Sequence, residues 1–137
     1  DSDGDYLELQ LEFEGGPMIN RYLYLSRSDS FAIFADMITG SPPSRVDLAT
    51  QLPLAAGVTL ESAENGREQL LRAGNKTVRV FPLALPQDPG IGTSGKIGLD
   101  QNGDQSCLAC SHSSESGTMF APIVLDWAPE RQTAQSE

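Results

Sequence analysis

The sequence predicts an all-β domain, an antiparallel β-sandwich or jelly-roll-like fold of about eight or nine short strands. Short apolar and aromatic runs alternate with polar residues at a period of two, which is typical of half-buried strands. Gly, Pro and Asn-Gly turn signals separate these runs at nearly regular spacing, and no helical period is sustained. With 137 residues, the chain suits one domain with its own core. We place that β-sandwich domain at residues 1–130 and a polar C-terminal tail at 131–137.

The first strand prediction is the clearest. Residues 6–14 alternate apolar with acidic or amide side chains, so one face should be core and the other acidic and solvated. The expected core face consists of Leu7, Leu9, Leu11 and Phe13. The Gly-Gly-Pro sequence at 15–17 ends the run, and residues 21–26 should form the second strand of a hairpin. The apolar run at 31–35 indicates a central strand buried on both faces, with a buried helical turn as the alternative.

The middle of the chain predicts a meander. Strands are expected at 58–60, 69–72 and 78–81, with turns at Asn65-Gly66 and Gly74-Asn75. Residues 64–73 also have a helical composition, but the segment is short and interrupted by glycine, which favours a strand. The structure of residues 40–57 is left open.

The C-terminal half begins with a long irregular connection at 82–96, in which Leu83 and Leu85 could continue an edge strand. Strands at 97–99 and 107–109 flank an Asn-Gly hairpin signal within residues 101–104. The last strand is expected at 119–127. Proline lacks the amide hydrogen that a sheet ladder needs, so Pro122 predicts an edge position or a bulge for this strand.

The charge balance excludes several partners. Nineteen acidic and nine basic residues give a formal net charge of −10, which repels phosphate backbones and anionic lipid. No apolar stretch approaches the roughly 18 residues of a membrane-spanning helix. We therefore expect neither nucleic acid nor membrane as a partner. The charge would suit cations, basic partners or neutral polymers, although solubility alone explains it. The chain begins at Asp1 without Met or a signal peptide, which we interpret as an excised piece of a secreted or periplasmic, cell-envelope protein.

Two motifs could hold a metal ion. The acidic residues Asp1, Asp3, Asp5 and Glu12 match ligand positions 1, 3, 5 and 12 of a calcium loop, although Tyr6 takes the place of the turn glycine. The alternative is a solvated acidic lead-in without cofactor. Residues 100–104 repeat the first half of that pattern, and a hairpin turn explains them better.

The second motif is the pair Cys107 and Cys110, with the only histidine, His112, close behind. Structural zinc needs about four ligands, and three are present. Residues three apart on a strand lie about 10 Å apart and face opposite ways, beyond disulfide reach. Two packed, reduced cysteines are therefore expected, while a local bulge would permit a disulfide. We expect His112 on the surface of a serine-rich turn, and no nucleophile elbow accompanies it.

Amphipathic rings are a further lead, since Tyr22, Tyr24 and Trp127 are of the kind that stack on sugars. By spacing, Tyr22 and Tyr24 share one face of a strand. The competing interpretation is that both tyrosines are partly buried and that Trp127 lies in the core or at its rim.

Residues 21–27 leading into 31–36, together with 121–126, resemble the β-rich C-terminal portion of heparinase II/III-like proteins. These are polysaccharide-lyase relatives in which a helical toroid precedes a β-sandwich. The resemblance implies β-elimination by His and Tyr at the cleft between the two parts. The chain has no toroid, and no catalytic residue carries over.

Two functions follow from this. The first is a non-catalytic accessory or C-terminal β-domain of a secreted polysaccharide-processing protein, which packs on another domain and contacts neutral glycan. The second is a free-standing structural or adhesion-type sandwich that acts through protein contacts. An exposed apolar patch bordered by polar residues favours the first, and a fully polar surface the second. In either case the domain alone should not be an enzyme.

Overall fold

A computed structural model describes residues 2–40, 45–62, 67–85 and 95–130. Within these ranges the chain forms ten strands, all in antiparallel pairs. Their bounds are β1 Gly4–Glu12, β2 Met18–Ser26, β3 Phe31–Thr39, β4 Val46–Pro53, β5 Thr59–Ser62, β6 Gln69–Ala73, β7 Lys76–Pro82, β8 Lys96–Asn102, β9 Gln105–Ser114 and β10 Thr118–Asp126. None of the described elements is a helix with the length and apolar character that a membrane crossing requires.

The strands form two sheets of unequal size. The large sheet has seven strands in the order β1-β2-β3-β10-β7-β6-β5, and the small sheet has three in the order β4-β9-β8. We call the face of the large sheet that packs on the small sheet its inner face, and the opposite one its outer face. The predicted all-β sandwich is therefore confirmed, and β4 is a strand within the segment that the sequence left open.

Turn signals predicted from the sequence form hairpins. Gly74 and Asn75 connect β6 to β7, and Gly103 lies in the turn from β8 to β9. Both glycines have positive φ, 63° and 65°, which glycine adopts without steric cost. The Asn65-Gly66 turn lies outside the described residues. Leu83 and Leu85 do not extend an edge strand, because the chain turns after β7 and the Leu85 amide donates to the Pro82 carbonyl at 3.0 Å.

The core lies between the sheets in two adjoining clusters. One joins β6, β7 and β10 of the large sheet to β9, through Leu71, Val80, Leu108, Cys110 and Ile123. The other packs Leu48 of β4 against Ile38 and Ala121 of β3 and β10. The small sheet thus covers the middle of the large sheet and its β7–β6 side. β3 is internal, as expected for residues 31–35, and the alternative helical turn is not formed. The expected burial on both faces is wrong, because residues 31–34 are only partly buried and Ala35 alone in this run is fully buried.

The core face predicted for β1 is wrong. Its strand and alternation are as expected, but the four apolar side chains remain exposed. Their exposed fractions are 49% for Leu7, 43% for Leu9, 44% for Leu11 and 54% for Phe13. They do belong to the inner face, since Leu7 pairs with Leu23 and Leu23 with Phe34. The reason for the exposure is that the described part of the small sheet does not extend far enough to cover β1.

Both alternatives predicted for β10 from Pro122, an edge position and a bulge, are also wrong, because its ladder with β3 runs without interruption from Thr118 to Asp126. β10 lies inside the large sheet, between β3 and β7. Its ladder with β7 runs only from Ile123 to Asp126, so Pro122 lies just beyond it. The Pro122 carbonyl accepts a hydrogen bond from the Leu83 amide at 3.0 Å. In an antiparallel sheet, the backbone N and O of one residue point to the same neighbouring strand. The Pro122 nitrogen therefore points towards β7, which has already turned away at this position, so no ladder hydrogen bond is lost.

Candidate functional site

Tyr22 and Tyr24 lie on the outer face of the large sheet, at alternate positions of β2. The register places Tyr6 of β1 opposite Tyr24, and Glu8 opposite Tyr22. On the other side, Tyr24 pairs with Ile33 and Tyr22 with Ala35 of β3. Side chains in one row of a sheet are neighbours, so Tyr6 joins the two tyrosines that the sequence singled out. Tyr6 was missed because its strand partner is fixed only by the register of the hairpin.

The apolar surface continues towards the middle of the sheet. The next row contains Met37 of β3 opposite Phe120 of β10, which are 42% and 57% exposed. Tyr6 is 61% exposed. We call this surface the aromatic face and define it by the outer-face residues Tyr6, Tyr22, Tyr24, Ile33, Met37 and Phe120.

Tyr24 is fixed in place by close packing. A Cβ at Gly4 would lie only 2.5 Å from the Tyr24 ring and its hydroxyl, so the glycine makes room for the ring over β1. The Tyr24 and Phe31 rings have centroids 5.9 Å apart and planes inclined at 37°, within the range of favourable aromatic pairs. Tyr24 therefore presents a pre-positioned ring rather than a mobile one.

Polar groups border the aromatic face. The Tyr6 hydroxyl donates to Glu8 Oε2 at 3.2 Å, and the Asn20 amide donates to the Tyr22 hydroxyl at 3.5 Å. Partial desolvation and the hydrogen bond to Glu8 raise the pKa of Tyr6 above its ordinary value. The phenol therefore stays protonated at neutral pH. The border offers amide and hydroxyl donors beside carboxylate acceptors, a mixture that suits uncharged polar ligands.

Trp127 lies apart from this face. It follows the last residue of β10, and its amide donates to the Ser30 carbonyl at 2.9 Å. Its side chain is 37% exposed. In the described structure, the Trp127 ring forms no aromatic pair with Tyr22 or Tyr24. Trp127 is thus at the rim of the sandwich, and the structure does not bring it together with the two tyrosines.

The four acidic residues of the calcium pattern are not brought together either. Asp1 lies outside the described residues. Asp5 and Glu12 lie seven residues apart on β1, which corresponds to about 23 Å along a strand. Asp5 is occupied by Arg27, whose guanidinium donates to both carboxylate oxygens and lowers the pKa of Asp5. Among the described residues, no group of three or more His, Cys, Asp or Glu side chains is arranged to hold a metal ion.

Cys107 and Cys110 lie on the regular strand β9, so their side chains leave opposite faces of the small sheet. Both are buried free thiols. Cys110 belongs to the core and its Sγ lies 3.2 Å from His112 Nε2. Burial raises the pKa of Cys110 to about 11 and lowers the pKa of His112. The pair is therefore a neutral thiol beside a neutral imidazole at pH 7.

The expected surface position of His112 is wrong, because its side chain is 7% exposed and faces the core with Cys110. A Cβ at Gly95 would lie 2.8 Å from His112 Nδ1, so the backbone at Gly95 covers the outer end of the ring. The serine-rich segment is strand β9 rather than a turn. An imidazole enclosed in this way cannot reach a polymer bound at the surface.

A buried carboxylate that the sequence did not reveal joins the sheets. Asp36 of β3 is fully buried and accepts hydrogen bonds from Arg21 Nε at 2.8 Å and Nη2 at 3.1 Å. It also accepts one from Thr50 Oγ1 of β4 at 3.0 Å. The Arg21 guanidinium lies 4.7 Å from the centre of the Phe34 ring. This network fixes β4 above β3 and so sets where the small sheet ends.

Beyond β4 the inner face of β1 and β2 is open in the described structure. We call this surface the leucine shelf and define it by the inner-face residues Leu7, Leu9, Leu11, Leu23 and Leu25. A hollow of about 290 Å³ lies where the shelf meets the small sheet, with Leu52 of β4 among its lining residues. Its other walls include Leu7, Leu23, Leu25 and Phe34. The alternation of β1 predicts that its leucines share one face of the sheet. It cannot predict that the small sheet leaves this face exposed.

Comparison with known proteins gives a likeness of fold. No protein-family model matches the chain, and no curated protein matches it. Solved chains do match, and among them are one described as heparinase III-BT4657 gene product and one described as the same product with methylated lysines, each with a TM-score of 0.57 and 10% identity. The match covers 91% of this chain but 19% of each of those chains. At this identity the likeness concerns the fold alone. The chain is thus a β-sandwich similar in fold to a limited part of heparinase III.

Proposed function

We propose that the chain is a non-catalytic accessory β-domain of a secreted or cell-envelope polysaccharide-processing protein, and that its aromatic face contacts neutral glycan. The observation that carries the proposal is the row of Tyr6 and Tyr24, with Tyr22 beside it, on one sheet face, where Tyr6 is exposed and Tyr22 and Tyr24 are partly buried. Rings held on a sheet offer stacking surfaces at the spacing of the strands. The likeness in fold to part of heparinase III supports the polysaccharide context.

The charge of the molecule favours an uncharged ligand. The net charge is −10, and Glu8 and Glu12 lie on β1 beside the aromatic face. An anionic polymer would meet repulsion here, whereas ring stacking on a neutral sugar does not depend on charge. A neutral glycan is therefore the ligand class that this face suits.

The environment of His112 supports an accessory rather than a catalytic role. A general base must reach the proton that it removes within about 3 Å, directly or through one water. His112 is buried, contacts Cys110 and is covered at Gly95. A polymer on the surface of this domain thus has no access to the only imidazole of the chain.

The leucine shelf supports the part of the proposal in which this domain packs on another polypeptide. An exposed apolar patch bordered by polar residues is the feature that favours a domain that packs on another one over a free-standing structural sandwich. The shelf and the aromatic face lie on opposite sides of β1 and β2. The domain could therefore contact a neighbouring domain and a glycan at the same time.

The glycan proposal is tested by titrating the protein with neutral hexasaccharides of glucose, xylose and mannose, followed by NMR shifts of the β2 and β3 amides. We expect at least one to bind, and the double substitution Tyr6→Ala/Tyr22→Ala to weaken it by roughly fivefold or more per ring. Phe13→Ala is the matched control, because Phe13 is an equally exposed ring outside the aromatic face.

Three outcomes would contradict the proposal. One is that none of the hexasaccharides shifts the β2 or β3 amides. Another is equal weakening by Phe13→Ala. The third is cleavage of heparin, alginate or a neutral glycan by the isolated domain, measured as unsaturated uronate absorbance or as new reducing ends, since that would make the domain an enzyme by itself.

A further inference from the structure

We propose that the leucine shelf and the free edge of β4 together form a docking site for an extended segment of a partner polypeptide, with alternating apolar and basic side chains, that adds to the small sheet as a strand beside β4. This inference deepens the part of the proposed function that assigns a polypeptide partner. It does not depend on glycan contact, because the two surfaces lie on opposite sides of the large sheet.

The size of the uncovered surface follows from the strand count. Strands in a sheet are about 4.8 Å apart, so seven strands span about 29 Å between the outer strand axes and three span about 10 Å. Thr50 bonds to Asp36 and Leu48 packs on Ile38, which positions β4 over β3. In the described structure, β2 and β1 therefore project beyond β4 by the width of two strands.

The side chains on this projection are apolar. Leu7, Leu9 and Leu11 of β1 and Leu25 of β2 are each more than 40% exposed. The hollow of about 290 Å³ lies at the corner between Leu52 and the shelf, so it opens beside β4 on the side where a further strand would run. Inward side chains of such a strand would enter the hollow and cover the leucines.

The edge of β4 is suited to strand addition. β4 pairs with β9 on one side, and in the described structure no strand pairs with the other side. Natural edge strands are often protected by lysine, by proline within the strand or by bulges. The only charged residue of β4 is Asp47, and its only proline is the last residue, Pro53. The edge of β4 thus lacks these protections, and its free backbone groups lie beside the apolar leucine shelf.

The negative net charge of the chain indicates a partner segment with basic side chains. A second copy would also carry a formal net charge of −10. Two copies that meet at this surface would oppose like charges. A segment with basic side chains is instead attracted, and a period of two places its apolar side chains on the leucines.

The probe is a labelled ten-residue peptide of alternating valine and lysine, titrated with the protein by fluorescence anisotropy. We expect saturable binding that Leu9→Ser weakens by about tenfold, since a half-buried leucine contact is lost. Phe120→Ser is the matched control, because Phe120 is comparably exposed but lies on the outer face, and it should leave peptide binding unchanged. Both positions are exposed, so both variants should fold.

Two comparisons establish the mode of binding. A peptide with the same composition but valines and lysines in blocks should bind at least about tenfold more weakly, since it cannot place its valines on one face. Hydrogen exchange measured by NMR should show that the amides on the free side of β4 become protected only with the alternating peptide.

The proposal is overturned if the alternating peptide does not bind, if the blocked peptide binds equally well, or if the β4 amides stay unprotected. It is also overturned if sedimentation shows a dimer of the unmodified protein that Leu9→Ser dissociates, because a second copy then occupies the shelf. A Leu9→Ser variant that still binds the hexasaccharides separates failure of this site from failure of the aromatic face.

Discussion

At the scale of single residues, the burial of Asp36 and His112 could not be predicted from the sequence. Asp36 occurs one residue after an apolar run, where a solvent-exposed position is the usual expectation for Asp. Its burial depends on Arg21 and Thr50, which are distant in sequence. His112 is buried because Cys110 and Gly95 enclose it, and Gly95 belongs to a different segment. Local patterns cannot reveal such partners.

We predict that Arg21→Met destabilises the fold far more than Arg72→Met. Removing Arg21 leaves the buried Asp36 carboxylate without its bidentate partner, which costs about 3–5 kcal/mol in comparable buried pairs. Arg72 makes an exposed pair with Glu61, and such pairs contribute about 0–1 kcal/mol. Urea unfolding of both variants measures the two losses. Losses of equal size would contradict the role assigned to Asp36.

We also predict that His112 makes the protein less stable below neutral pH. Burial lowers the pKa of His112, so the unfolded chain takes up a proton near the ordinary pKa of 6.5 while the folded protein does not. The free energy of unfolding should therefore fall as pH falls below about 6.5, until the folded pKa is reached. Urea midpoints at several pH values should show that His112→Gln reduces this slope. An unchanged slope would refute the prediction.

At the scale of elements, the period of β1 was predicted correctly and its environment was not. Alternation fixes which side chains share a face, but whether that face is covered depends on the number of strands in the opposite sheet. The same holds for Pro122, because whether a proline fits inside β10 depends on where the neighbouring strand β7 ends. The hairpins at Gly74 and Gly103 could be predicted, since their signals lie within the turn itself.

We predict that Leu9→Ala and Leu108→Ala differ strongly in their effect on stability. Leu9 is exposed on the leucine shelf, so its truncation should cost less than about 1 kcal/mol. Leu108 of β9 is fully buried in the core, and its truncation should cost about 2–5 kcal/mol. Chemical denaturation compares them. A large loss at Leu9 would mean that the shelf is covered within the isolated chain.

At the scale of the whole molecule, the fold class could be predicted because most of it is made of neighbouring hairpins. The ladders β1–β2–β3 and β5–β6–β7 follow chain order, and local patterns specify them. The pairing of β10 with β3 and β7, the unequal sheets and the two opposite apolar surfaces arise from contacts between distant segments. Of the candidate site, Tyr22 and Tyr24 were identified from the sequence, whereas Tyr6, the leucine shelf and the hollow required the structure.

The central position of β10 has a consequence for how the protein is made. In the described structure, β3 and β7 do not pair with each other, and β10 is the strand that joins them. During synthesis, the meanders β1–β2–β3 and β5–β6–β7 therefore emerge as two separate halves with unsatisfied edges. The large sheet can close only after β10, which follows both meanders in the chain, has left the ribosome. Until then, the exposed edges of β3 and β7 are where a nascent chain would need protection from a chaperone.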